Sequence, residues 1–243
     1  MKLCLLTAAI FLSSILPSVA VAETMVVSYL GDPASIKGYN ILKAAYGRLG
    51  IDLKPETMPH ERSLRSANSG ETDGDVMRIA GIEAQFSDLI RVPEPVYSFD
   101  VVAFSTGLTF KVEGWNSLRP YSLCVARGMR VAEQGTEGMD RTVANSVEQI
   151  IEMLRNGRCQ LLIAGPSTWL DIDRLRAGPI LMLEPPIVSV PLYHLLNRKH
   201  AALVPRLAEV LGEMRKDGTI AAIIAEEDRD LEAARRRNSI PGR

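Results

Sequence analysis

The chain has 243 residues, enough for one large domain or two small lobes. Its 28 Lys+Arg offset 29 Asp+Glu, a formal net charge of −1, so no field draws nucleic acid or an anionic membrane to it. An ordinary apolar fraction of 47%, with charge spread along the chain, excludes a disordered polymer.

The first segment reads as an export signal. Lys2 supplies a short positive region, Leu3 to Leu16 is apolar, and Pro17 with Ala20-Val21-Ala22 precedes the polar Glu23-Thr24. That order predicts a secretory signal peptide over 1–22, cleaved after Ala22. The apolar run is shorter than the roughly 20 residues of a membrane span. No later stretch reaches that length, so the mature chain is expected in the periplasm and not embedded in a bilayer. Cleavage removes Cys4 and leaves Cys124 and Cys159. An oxidising compartment permits a disulfide between them, but two buried thiols on neighbouring strands is the preferred reading. Neither the cysteines nor His60, His194 and His200 show metal-site spacing, and no cofactor is expected.

Met25 to Leu30 is a β-branched run that reads as a buried strand ending at Gly31-Asp32-Pro33. Tyr39, Leu42, Tyr46 and Leu49 recur at helical steps, and Gly50 stops them. Ile51 to Leu53 predicts a second strand, and His60 to Ser69 a short helix ended by Gly70. Residues 74–78, 89–92 and 100–105 read as further strands, with Pro93 and Pro95 as breakers. A second unit has the same grammar. Ser122 to Ala126 is a strand ending in Arg127-Gly128, and Thr142 to Ala144 is another. Ser146 and Gln149 form a capping-box pattern before a helix whose Val147, Ile150, Ile151 and Leu154 share a face. Cys159 to Ala164 is a strongly apolar strand, and Pro166 restarts a helix running to about Ala177. Ile180 to Leu183 predicts a last strand before Pro185-Pro186. The tail returns to the first style, with a strand at 190–196 and a helical stripe of Leu203, Leu207, Leu211 and Met214. A short helix then leads into Arg235-Arg236-Arg237, read as a solvated, frayed end. Strands alternating with helices predict an α/β fold with mostly parallel sheets.

Three passages resemble the type II periplasmic solute-binding proteins, the group that includes polar amino-acid receptors of ABC importers. Glu61-Arg62-Ser63-Leu64 followed by Ser69-Gly70-Glu71-Thr72-Asp73-Gly74-Asp75 is similar to that family's helix-to-strand passage at the cleft. Asn156-Gly157-Arg158-Cys159-Gln160-Leu161-Leu162-Ile163 is similar to its second-lobe strand, and Tyr193-His194 to its returning segment. The resemblance implies two lobes: a discontinuous first lobe over 23–105 and 190–243, and an inserted second lobe over 106–189. Hinge strands are then expected near Ser105 and Ser189. Two departures stand out. The family's Thr-x-x-Arg segment, which grips an α-carboxylate, is Met77-Arg78-Ile79-Ala80-Gly81-Ile82 here. Its ammonium-binding Asp falls in Ala164-Gly165-Pro166-Ser167, where no carboxylate occurs before Asp171.

Arg78 is the first candidate for ligand binding, because a guanidinium holds a carboxylate through two parallel hydrogen bonds. The competing reading is an ion pair with Asp75 or Asp73. Arg62, early in its helix, is either a cleft-rim cation or a surface charge. Asp75 and Glu61 join the candidate set from the same passages. Tyr29 and Tyr193 offer ring faces or hydroxyls, and Ser105 a hydrogen bond near the expected crossover. Gly128 precedes a helix whose free amides can meet an anion. Trp115 and Trp169 read as packing residues. The expected function is capture of a small polar solute, anionic or carboxylate-bearing, by a monomer, with an ABC-importer permease as candidate partner and no catalysis. A sensory or accessory module, or a dehydratase-like enzyme on the same scaffold, is the alternative.

Overall fold

The computed structural model of the chain describes residues 23–239, so the signal-peptide reading lies outside the described residues. The elements run β1 (Thr24–Tyr29), α1 (Pro33–Arg48), β2 (Asp52–Thr57), α2 (His60–Ser69), β3 (Gly74–Ile79), β4 (Leu89–Arg91) and β5 (Tyr97–Ser105). They continue through β6 (Leu123–Ala126), α3 (Arg130–Gly135), β7 (Arg141–Ala144), α4 (Val147–Arg155), β8 (Leu161–Ala164) and α5 (Thr168–Arg174). Then come β9 (Leu181–Asn197), α6 (Val204–Lys216), α7 (Thr219–Glu227) and α8 (Arg229–Asn238).

The strands form one continuous sheet in the order β2-β1-β3-β9-β5-β8-β6-β7, with β4 also paired to β9. β1 runs parallel to β2 and β3, and β6 parallel to β7 and β8. The joins β3/β9, β9/β5 and β5/β8 are antiparallel. β3 descends β9 from Leu196 to Leu192, whereas β8 climbs β5 from Phe104 to Val102. The two parallel triplets therefore point their carboxyl ends at each other along the β5/β9 pair. That pair is all that joins the two lobes within the sheet. Between the triplets it is an antiparallel ribbon in which Ser98, Phe99, Asp100 and Val101 face Pro191, Val190, Ser189 and Val188.

The sequence reading expects a strand near Ile180–Leu183 and a separate one over 190–196; the structure joins them into β9. The β5 register jumps from Val101 opposite Val188 to Ala103 opposite Leu183, so residues 184–187 bulge from the ladder. Proline lacks an N–H and is excluded from a regular central strand, but it costs nothing in a bulge. Pro185-Pro186 thus interrupts the pairing without ending the strand. The crossover on β5 also lies further back than expected. Ser189 sits in it, whereas Ser105 pairs with Leu181 at the far end of β5.

The first lobe buries Ile41, Leu42 and Tyr46 of α1 with Leu207, Leu211 and Met214 of α6 over β1 and β3. The second lobe has a core on each sheet face. Phe104, Ile150, Leu154 and Trp169 fill one, and Leu123, Ile163 and Leu183 the other. Trp169 meets Phe104 edge-on at 5.3 Å, in keeping with its expected packing role. The α4 cap forms, with the Gln149 amide donating to Ser146 Oγ at 3.3 Å. The reciprocal bond lands one residue early, Asn145 N–H donating to Gln149 Oε1 at 2.9 Å.

Two expectations are corrected. Cys124 and Cys159 are bonded as a disulfide with Cα atoms 5.8 Å apart, not held as separate thiols, because β6 and β8 are adjacent strands. The Arg235-Arg236-Arg237 run is not a frayed end but part of α8. α7 packs on α1 and α6, and α8 then crosses to the second lobe and packs on α5, placing Ala234 in that core. Arg237 forks onto Asp173 with bonds of 3.0 and 2.6 Å, and Asn238 Nδ2 donates to Asp173 at 2.8 Å. The Arg237 and Asn238 hydrogen bonds hold the Asp173 carboxyl down to about 2. Asp173→Ala is expected to speed amide hydrogen exchange across Arg229–Asn238 while leaving α7 protected. Equal protection of α8 in both chains would show that the carboxylate does not anchor it.

Candidate functional site

In open α/β sheets, ligands bind outside the carboxyl ends of parallel strands, where loops and helix N-termini converge. Here two such ends face one another across the β5/β9 ribbon. The first lobe presents Tyr29, the Gly31-Asp32 turn and Arg78-Ile79. The second presents Ala126-Arg127-Gly128 and Ala164-Gly165-Pro166. Asp32 caps α1, accepting from Ser35 N–H at 2.8 Å, with Pro33 in the first turn.

Arg78 and Asp75 meet in an ion pair of 2.6 Å, with the Asp75 side chain 1% exposed and that of Arg78 11% exposed. The same carboxylate accepts from Ser63 Oγ at 2.6 Å and from Met77 N–H at 3.2 Å. Burial pushes the Asp75 carboxyl up, and the Arg78 guanidinium and the Ser63 hydroxyl pull against it. Ser28 Oγ, hydrogen-bonded to Ser63 O and Gly74 O, ties β1 into the same network. Arg78 therefore has a buried counter-ion, although its Nε is buried without a hydrogen-bond partner.

His194 extends this network, although the sequence reading does not place it among the binding candidates. Its Nδ1 lies 2.8 Å from Asp75 O and its Nε2 2.9 Å from the Tyr46 hydroxyl. A carbonyl can only accept, so Nδ1 carries the proton and Nε2 accepts from Tyr46. Burial drives the imidazole down to about 4, so it is neutral in the fold. In the unfolded chain the same ring titrates near 6.5. Its contribution is therefore fully present above about pH 6.5 and lost as pH falls towards 4, by about 3 kcal/mol in all. Urea unfolding of the chain and of His194→Gln at pH 7 and 4.5 tests this. The variant should be the less pH-sensitive of the two, and identical pH slopes would remove His194 as the cause.

The remaining sequence candidates fall in several places. Tyr29 ends β1 half-buried, its ring 5.9 Å from that of Tyr39. Tyr193 stands opposite Arg78 across β3/β9, with the Arg91 guanidinium 4.8 Å above its ring. Glu61 pairs loosely with Arg65 at 3.5 Å on the outer face of α2. There Arg62, Ser69 and Glu71 complete a separate open depression of about 470 Å³. Ser105 Oγ accepts from Gly107 and Leu108 N–H at 3.1 and 2.7 Å, holding a turn within the second lobe rather than facing the crossover. Gly128 N–H already donates to Glu133 Oε1 at 2.9 Å, so that amide is filled from within the protein.

At the crossover itself the structure opens a pocket of about 520 Å³ between β5, the bulge of β9 and Pro166. Asp100 lines it, accepting at Oδ1 from the Ser189 hydroxyl. Asp100 escaped the sequence reading, although a carboxylate inside the apolar run Phe99–Phe104 was a usable signal. On the neighbouring face Phe99 fills the space beside Gly165, where an added Cβ would stand 2.7 Å from the ring. Among the described residues no three or more His, Cys, Asp or Glu side chains group as metal ligands. No described helix is long and apolar enough to cross a membrane.

No protein-family model matches the chain. An uncharacterised protein of Shewanella oneidensis is 26% identical over 186 residues, covering 72% of this chain and 69% of that one. Among solved structures, a probable amino-acid ABC transporter extracellular-binding protein, ytmK of Bacillus subtilis, superposes with a TM-score of 0.68 at 14% identity, over 85% of this chain and 98% of that one. The second substrate-binding domain of Lactococcus lactis GlnP, in an open conformation, gives 0.63 at 15% identity, over 84% and 95%. A histidine kinase sensor domain similar to periplasmic binding proteins gives 0.60 at 17% identity, over 84% and 96%. The chain has the two-lobed α/β fold of type II periplasmic binding proteins of the amino-acid ABC transporter type.

Proposed function

We propose that the protein is an exported binder that captures a small solute between its lobes and releases it unchanged. The observation that carries this reading is the opposition of two parallel triplets across a two-stranded ribbon. Such a ribbon bends at few residues, and a ligand touching both lobes favours the closed state by its differential contacts. The disulfide supports export, since such bonds persist in oxidising compartments. An ABC-importer permease is the partner we assign, by analogy with the transporter proteins of the same fold. Arg78 belongs to the cleft wall, but its pairing with Asp75 weakens the case for a carboxylate-bearing ligand.

The test is thermal unfolding of the exported chain against amino acids, carboxylates, amines and neutral solutes, with small-angle scattering on any hit. A ligand bound only by the fold stabilises it by about 2.7 kcal/mol at a hundredfold excess over its Kd. A raised midpoint with a smaller radius of gyration is the expected result. If no compound moves the midpoint, the sensory reading, supported by the kinase sensor domain of the same fold, takes its place.

A further inference from the structure

We infer that the solute is an organic cation, a protonated amine on a small apolar body, held at the crossover by Asp100. This rests on the solute-binding reading and names the chemistry of the same site.

Charge is the first ground. The pocket beside the ribbon is lined by Asp100 and Glu184 and by no basic side chain. Glu184 reaches outward to Arg235 at 2.9 Å. Asp100 is different: among the described residues its carboxylate has one hydrogen bond, from the uncharged Ser189 hydroxyl, and no cation. This carboxylate opens on a pocket whose other walls are largely apolar, and an incoming cation supplies the charged partner it lacks.

The walls are the second ground. Val102, Met182, Leu183 and three prolines, 166, 185 and 186, make up the rest of the lining, and 520 Å³ suits a compact hydrocarbon body. Apolar side chains are also exposed at the facing strand ends. The large hydrophobic side chains most exposed among the described residues are Ile36, Ile79 and Leu170. Ile36 lies in the first turn of α1, Ile79 ends β3, and Leu170 lies in the first turn of α5. All three stand at the carboxyl ends that face across the ribbon.

The third ground is what the cleft lacks. The Arg78 guanidinium is bonded to Asp75, and Gly128 N–H to Glu133, so two donors suited to an anion are already occupied. Beside Gly165 the Phe99 ring occupies the space that any side chain at that position would need. Arg127, at the facing end of β6, donates through Nε to Asn145 at 2.9 Å, and within the pocket the carboxylate without a cationic partner among the described residues is that of Asp100.

Isothermal titration of the exported chain with isoamylamine, isovalerate and isoamyl alcohol, three solutes of one shape and different charge, tests the inference. The amine is expected to bind and the other two to bind at least about tenfold more weakly. Asp100→Asn should weaken the amine by about ten- to a hundredfold, the loss of one charge-assisted bond. Pro166→Lys, which adds a cation at the rim and leaves Asp100 intact, should weaken it as well, so the result does not hang on one variant folding. Equal binding of the acid or the alcohol, or full amine affinity in both folded variants, overturns the inference. If carboxylates or amino acids bind and amines do not, the cation is wrong and the solute-binding reading stands. If no solute of any charge binds, both fall.

Discussion

Replacing Asp75 by Ala is expected to destabilise the first lobe by about 3–5 kcal/mol, because it strands the Arg78 guanidinium in a protein interior. The carboxylate is bonded by Ser63 of α2, the Met77 amide and Arg78, so its removal also frees a hydroxyl and an amide that water does not reach. The second half of the prediction separates a structural pair from a ligand anchor. With Arg78→Met added in the same chain, most of the lost stability should return, since no buried charge is then unpaired. Urea unfolding of the two single variants and the double variant closes the cycle, with midpoints compared at a common slope. A coupling close to zero would mean that the two side chains do not depend on each other, and Arg78 would again be free to hold a ligand. Strong coupling, with solute affinity unchanged in the double variant, would confine Arg78 to the wall of the site.

What the sequence disclosed follows from how local each signal is. The α4 helix was legible because Ser146, Gln149 and the stripe of Val147, Ile150, Ile151 and Leu154 act within three turns of one another. The run Leu161–Ala164 was legible because a strand buried on both faces is apolar throughout. The passage of β9 through Pro185-Pro186 was not, because a bulge is defined by the partner strand, and nothing in 181–197 reveals where β5 slips its register. The same limit misplaced Ser105: its strand was found, but not which end of it meets the first lobe. The i,i+3 spacing of Asp75 and Arg78 offered the ion pair openly, yet only burial decides between a pair and a free cation. The docking of α8 was hidden in a run of arginines that reads as solvent-facing until Asp173 is found beside Arg237. Asp100 is the instructive omission: a charge in an apolar strand marks either a buried partner or a site, and here the only hydrogen bond found among the described residues comes from a hydroxyl.

The disulfide should matter most to the part of the second lobe with the least core of its own. Cys124 and Cys159 are 35 residues apart, and the loop they close holds α3, β7 and α4. β7 pairs only with β6, and none of its four residues is fully buried, so little besides α4 holds this edge to the sheet. Closing a loop of that length lowers the entropy of the unfolded chain by an amount equivalent to about 4 kcal/mol at 25 °C. Both sulfur-bearing residues are buried, at 0% and 2% exposure, so a reductant reaches the bond only when the lobe opens. The paired variant Cys124→Ala/Cys159→Ala, which leaves no lone thiol, is expected to melt about 8–15 °C lower than the oxidised chain. The loss should be concentrated in the second lobe, with faster amide exchange in α4 and β7 than in α1. The chain treated with reductant while folded should keep its midpoint far longer than the chain reduced in urea. A paired variant as stable as the oxidised chain would show that β6 and β8 hold this edge without the cross-link, and would remove the support that the disulfide lends to the proposed export.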